Sequence, residues 1–331
     1  MSGLLDPITV KGITLKNRIV MPPMANNMAT PEGEVTEKHL RHYEARARAG
    51  VGFIMVEASY IVKEGRGSDA HLGIYDDKLI FGLRNLVDVV HQWGVPVGIQ
   101  LNHFGSKAPQ RITGCQAVGP SYVVAPGSQE QPRPMTEAEI QAAVAAFGTA
   151  ARRAVAAGFD AVEVHGGHGY LVCSFLSPYT NRRPDLYGGD REGRLRFPLA
   201  VVAEVRRVVG PSFPLFYRLG VIDMVAGGLT VEESRHVAPR LVAAGVDVVD
   251  VTGGLEGSGR DFFKEQGFYV PAAHQIKQVV SVPVVGVGNI REPEFADRVI
   301  REGKVDLVAV GRAQLADPEW ARQAARILGA S

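Results

Sequence analysis

Thr136-Glu137-Ala138-Glu139 opens an alanine-rich stretch that closes at Gly158 and runs into Asp160-Ala161-Val162-Glu163-Val164, then His165-Gly166-Gly167-His168-Gly169-Tyr170. The Thr136 hydroxyl and the Glu139 carboxylate can each satisfy a free backbone N–H of the other, which marks a helix start. A glycine just past such a segment supplies the left-handed turn that ends a helix. The β-branched run after it reads as a strand, and His165 to Tyr170 as the loop at that strand's C-terminal end. One helix, one buried strand and one glycine-rich loop follow each other without a gap.

This unit recurs along the chain. Short apolar runs at Arg18–Met21, Gly52–Glu57, Val95–Leu101, Asp160–Val164, Leu215–Leu219, Val246–Val251, Val282–Val287 and Val305–Val310 are each separated by enough residues for a helix. Gly50, Gly158, Gly245 and Gly303 each stand between a helical segment and the next run, as C-terminal caps do. Near-continuous apolar strands alternating with helices form parallel sheets covered on their faces. Eight such units predict an α/β fold, a closed (β/α)8 barrel built as one domain from residues 1–331. Two segments fall outside the repeat. Ile8 to Leu15 alternates around Lys11-Gly12 and predicts a β-hairpin that plugs the N-terminal mouth. Ser106 to Met135, rich in Gly, Pro, Ser and Gln, is too long for an ordinary connection and is expected to be a lid over the catalytic end.

Composition narrows the function. The 331 residues are 46% hydrophobic and 21% charged, with a formal net charge of +1, so nothing favours a nucleic acid or an anionic membrane as partner. The alanine-rich stretch from Ala142 to Ala157 contains Arg152 and Arg153 and is not a membrane span. Met1 to Val10 lacks the basic and apolar regions of a secretory signal. Two distant cysteines, Cys115 and Cys173, exclude an all-cysteine metal or iron–sulfur site and favour a reducing, cytoplasmic setting.

Barrel active sites lie at the C-terminal ends of the strands, with phosphate often held after strands seven and eight. Those two runs end in Gly286-Val287-Gly288-Asn289 and Gly311-Arg312. Gly288 and Gly311 let backbone approach phosphate oxygens, and Arg312 adds a fixed cationic fork. Gln100 and Arg218 stand near the ends of otherwise apolar strands, where they need partners: a ligand, or an internal ion pair such as Arg218 with Glu163. His165, His168 and Tyr170 form a set of donors and a weak acid suited to holding an oxygen and delivering a proton. Two imidazoles also permit metal ligation, but no third ligand is evident nearby, so no metal is expected. A non-flavin barrel lyase using the two histidines remains open at this point.

The motifs Leu15-Lys16-Asn17-Arg18-Ile19-Val20-Met21-Pro22-Pro23-Met24, Val56-Glu57-Ala58, Ile99-Gln100-Leu101-Asn102-His103, His165 to Tyr170, Asn181-Arg182-Arg183, Asp185-Leu186-Tyr187-Gly188-Gly189 and Gly311-Arg312 together give a whole-length resemblance. The chain resembles the Old Yellow Enzyme family of FMN-dependent ene-reductases. The resemblance implies non-covalent FMN, NADH or NADPH as electron donor, a small activated alkene as oxidant, and a homo-oligomer. It places Pro23, Met24, Ala25 and Ala58 along the isoalloxazine, Gln100 at its pyrimidine edge and Arg218 at the N1 and O2 side. Gly288, Asn289, Gly311 and Arg312 would then hold the phosphate. His165 and His168 would bind a substrate carbonyl, and Tyr170 would protonate the α-carbon. Ala25 stands where the family usually has Thr or Cys, and Asn27 falls where one branch places a substrate contact. An NAD(P)H oxidase or a reductase of nitro compounds is the alternative on the same scaffold. Asn181 to Phe197 is expected to be structural, pinning the loop after strand four.

Overall fold

Eight parallel strands close on themselves in the computed structural model, which describes residues 2–255 and 264–329. In chain order the barrel strands, one to eight, are Ile19–Met21, Phe53–Tyr60, Val97–Asn102, Ala161–Gly166, Leu215–Gly220, Val248–Thr252, Val284–Gly286 and Leu307–Ala309. Strand eight pairs back onto strand one through Val308 and Ile19. Helices separate them, among them Glu37–Arg48, Ile80–His91, Glu137–Ala157, Arg191–Val209, Val231–Ala243 and Pro293–Arg301. The capping box forms as expected, with Thr136 N donating to Glu139 Oε2 at 2.8 Å and Glu139 N to Thr136 Oγ1 at 3.3 Å. Gly158 ends that helix at φ 92°.

Side-chain alternation divides the core in two. Ile54, Val56, Ile99, Val162, Val164, Leu215, Tyr217 and Val249 point outward and pack beneath the helices. Val20, Phe53, Met55, Ala161, Phe216, Val248, Val285 and Leu307 point inward and form a separate cluster. Phe53 and Phe216 stack at its centre, their rings 5.2 Å apart and 4° from parallel. The hairpin Ile8–Val10 and Ile13–Leu15 adds Val10 and Leu15 to this inner cluster. Its turn puts Lys11 at φ 46° and Gly12 at φ 85°, the two positive values that match the twist of paired strands.

Two strands run on at least two residues past the C-terminal ends read from sequence, the other ends agreeing within one. Strand four runs on through Gly166, so His165 lies within the strand and not in the loop. Its pairing continues because Arg218 and Leu219 of strand five face His165 and Gly166 in register. Strand two extends to Tyr60 across an irregularity between Val56 and Ser59, which is where Ala58 sits. The extension holds because Tyr60 exchanges backbone hydrogen bonds with Leu72 and Ile74 at 3.0 Å each.

Residues 106–135 fold into the helix Gln110–Thr113 and two short parallel strands, Val118–Gly119 and Arg133–Pro134. Arg183 Nη1 donates to the Pro120 and Met135 carbonyls at 3.1 and 2.7 Å, tying this excursion to the segment after strand four. Asn181 Nδ2 donates to the Phe175 and Tyr187 carbonyls, so the Asn181 motif is a structural pin. Cys115 is exposed and Cys173 buried, and neither is in a disulfide. Among the described residues, no helix is long and apolar enough to cross a membrane.

Candidate active site

Above the apolar filling the inward positions turn polar. Gln100, Glu163, Arg218 and Asp250, from strands three to six, form one layer, with Gln100 facing Glu163 and Arg218 facing Asp250 in register. Gln100 Nε2 donates to Glu163 Oε1 at 2.8 Å, and Arg218 Nε lies 3.4 Å from Asp250 Oδ2. The internal pair considered from sequence, Arg218 with Glu163, is thus replaced by Arg218 with Asp250. The in-register neighbour on strand six offers its carboxylate, while Glu163 is engaged by Gln100. Burial pushes both carboxyls up, Asp250 to about 6 and Glu163 well above its ordinary range, with Arg218 pulling both the other way.

The next positions up carry the histidines and the tyrosine. The His165 ring lies 5.0 Å from that of His168 and 4.9 Å from that of Tyr170, and the latter two are 6.1 Å apart. Gly167 N donates to His165 Nδ1 at 3.2 Å, which assigns the ring proton of the neutral imidazole to Nε2. His168 Nε2 meets Thr252 Oγ1 at 2.9 Å. His168 and Gly169 turn the chain at φ 57° and 70°, so the loop rises and brings Tyr170 back beside His165. Gly167 could not carry a side chain, since a Cβ would lie 2.6 Å from Thr252 Cγ2. Burial first, and then the cations Arg218 and Lys107, hold both imidazoles well below their ordinary value; His168 adds to this for His165. Burial pushes the Tyr170 phenol up to about 12 against the pull of Arg218. At neutral pH the site therefore presents two neutral imidazoles and a protonated phenol.

A cleft opens beside these groups, lined by Pro23, Met24, His168, Arg218, Thr252, Gly288, Asn289, Gly311 and Arg312, with Phe268 and Tyr269 also on its wall. Gly288, at φ 127°, is crowded by backbone: a Cβ there would come 2.8 and 2.9 Å from the nitrogens of Phe268 and Tyr269. Asn289 follows at φ 51° and anchors its amide on the Lys264 carbonyl at 2.6 Å. Gly311 lets Met24 approach, its sulfur 3.1 Å from where a Cβ would stand. Gln100 lies buried beneath, and its Oε1 has no protein partner. Ala58 is buried on strand two, while Ala25 and Asn27 are exposed on the segment after strand one. Asn27 Oδ1 accepts from Ser68 Oγ at 2.8 Å. The donor set fits a flavin mononucleotide: convergent glycine backbone and Arg312 for a phosphate, and an orphaned acceptor with a cation for the ring's polar edge.

A family model described as NADH:flavin oxidoreductase / NADH oxidase matches residues 3–329. The chain belongs to this family, the Old Yellow Enzymes. It is 42% identical over 328 residues to an NADPH dehydrogenase of Geobacillus thermodenitrificans, covering 98% of this chain and 94% of that protein. It is also 42% identical over 321 residues to an NADH oxidase of Thermoanaerobacter brockii, covering 95% of this chain. The match spans 49% of that longer relative. An Old Yellow Enzyme homologue from Zymomonas mobilis superposes with a TM-score of 0.86 at 28% identity, over 100% of this chain and 94% of that one. The protein is an NAD(P)H-dependent oxidoreductase that uses non-covalent FMN.

Several neighbours of the site had not been singled out from the sequence. Asp250 and Thr252 are inward residues of strand six, and an acid within Val246–Val251 was the available signal. Lys107 Nζ donates to the His168 and Leu255 carbonyls at 2.8 and 3.0 Å, 61 and 148 positions further along the chain, and so braces the histidine loop. No local sequence pattern encodes that contact.

Proposed function

We propose that this Old Yellow Enzyme is an ene-reductase, passing electrons from NADH or NADPH to the β-carbon of α,β-unsaturated carbonyl compounds. The observation that carries this reading is the grouping of His165, His168 and Tyr170, their rings 4.9–6.1 Å apart. Pro23, Met24, Ala25 and Ala58 would flank the flavin ring, Gln100 and Arg218 would meet its polar edge, and Gly288, Asn289, Gly311 and Arg312 would hold the phosphate. Bound there, FMN supplies hydride chemistry. His165 and His168 donate hydrogen bonds to the substrate carbonyl oxygen, which drains electron density from the β-carbon. Neutral imidazoles suit this task, because they bind the oxygen without surrendering a proton to it. The Tyr170 hydroxyl gives its proton to the α-carbon, and a phenol held at about 12 stays loaded at neutral pH. Asn27, at the rim, contacts the substituents of the alkene.

The relative named NADH oxidase favours a second reading, with dioxygen as the working oxidant. Anaerobic reduction with NAD(P)H followed by rapid mixing with an enone or with aerated buffer separates the two. The ene-reductase reading expects the enone to reoxidise the protein much faster than air does. Reoxidation by air alone, with the enone inert, would sink it.

A further inference from the structure

Glu163 and Asp250 share a small buried space with a single cation. They are 1% and 4% exposed, Arg218 is 6% exposed, and Gln100 is fully enclosed. Each carboxyl has its own outer partner: Gln100 Nε2 at 2.8 Å from Glu163, and Arg218 Nε at 3.4 Å from Asp250. The other Asp250 oxygen, Oδ1, is buried with no hydrogen-bond donor. Charge demands that one of the two be protonated. Two anions against one guanidinium would leave an uncompensated negative charge in a buried site, which is among the costliest arrangements a protein can hold.

The remaining groups around the pair do not alter that count. Below lie Met55, Ala161, Phe216 and Val248, all apolar. Above, from strand four and its loop, stand His165 and His168, both held neutral, with Lys107 beyond them from the segment after strand three. Glu57 of strand two is engaged by His39 Nε2 at 3.2 Å. Val285, Leu307 and Ala309 of strands seven and eight bring no titratable group.

We propose that Glu163 and Asp250 hold one proton between them at neutral pH, and that this proton sets how readily the flavin above Arg218 and Gln100 is reduced. The proposal rests on the placement of the flavin given above. With the proton in place the four-residue layer is electrically neutral, and Arg218 is not overwhelmed by two anions. Reduction adds negative charge over the layer and so raises the pair's affinity for a further proton, drawn from bulk water. The two carboxyls titrate as a unit, and they act on the cofactor through Arg218 and Gln100 as positioning residues.

Infrared difference spectra of the FMN-loaded protein, with and without isotope-labelled carboxyl groups, test the proton directly. A protonated-carboxyl band at pH 7, lost in Glu163→Gln, is the expected result; its absence overturns the proposal and leaves the ene-reductase reading untouched. The midpoint potential of the bound flavin tests the coupling. From about pH 6 upward the wild type should fall more steeply with pH than Glu163→Gln or Asp250→Asn, by one extra proton per two electrons. The Glu163→Gln/Asp250→Asn double variant, with Arg218 uncompensated, should have a higher potential than either single variant. A band that is present while all pH slopes coincide overturns the coupling, and with it the placement of the ring on Arg218 and Gln100.

Discussion

The two ends of the barrel interior are built from the same strands, two residues apart, and follow opposite rules. At the N-terminal end Phe53, Met55, Phe216 and Val248 fill space as hydrocarbon under a hairpin. One pleat higher, Phe216 gives way to Arg218, Val248 to Asp250 and Ala161 to Glu163, and a second pleat brings His165 and Thr252. The lower half should therefore respond to mutation as a packed core, with losses of stability. The upper half should respond as a reaction site, with losses of rate or shifts of potential at nearly constant stability.

The largest separation is expected from Tyr170→Phe. Removing the proton donor should slow reoxidation by an enone by about 10²–10⁴-fold, while reduction by NAD(P)H stays within a few-fold, as stopped-flow traces of the two half-reactions would show. Equal slowing of both halves would deny Tyr170 the donor role. Phe216→Ala probes the other end. Loss of the ring stacked on Phe53 should cost about 3–5 kcal/mol in denaturant unfolding, with reoxidation by the folded fraction little changed. A variant of normal stability but impaired rate would break the division between the two ends. The smallest effect is expected at the rim, where Ala25 offers no side-chain donor. Ala25→Cys should raise the flavin midpoint potential modestly, and an unchanged value would remove Ala25 from the set of residues that tune it.

Much of this division was legible in the sequence. The eight runs, their order and the hairpin followed from apolar periodicity and glycine punctuation, because each buried strand must be apolar wherever it meets a helix. Gln100 and Arg218 announced the polar layer, since a polar residue in such a run needs a reason. The flanking glycines suggested that strand four ends before His165, whereas the ladder with strand five carries it two residues further. The partner of Arg218 was also out of reach. Choosing between Glu163 and Asp250 depends on which strand neighbours strand five on each side and in what register, a property of the closed sheet and not of any one segment. Lys107 escaped for the same reason, its contacts lying far away along the chain.

The hairpin has a consequence for traffic. With Val10 and Leu15 stopping one mouth and hydrocarbon filling the space above them, the barrel is a well with a single opening and no through-flow. On the ene-reductase reading, donor and oxidant would use the same doorway in turn, and each departure would precede the next arrival. Such a molecule works as a queue, and a crowd of either reactant at the door delays the other.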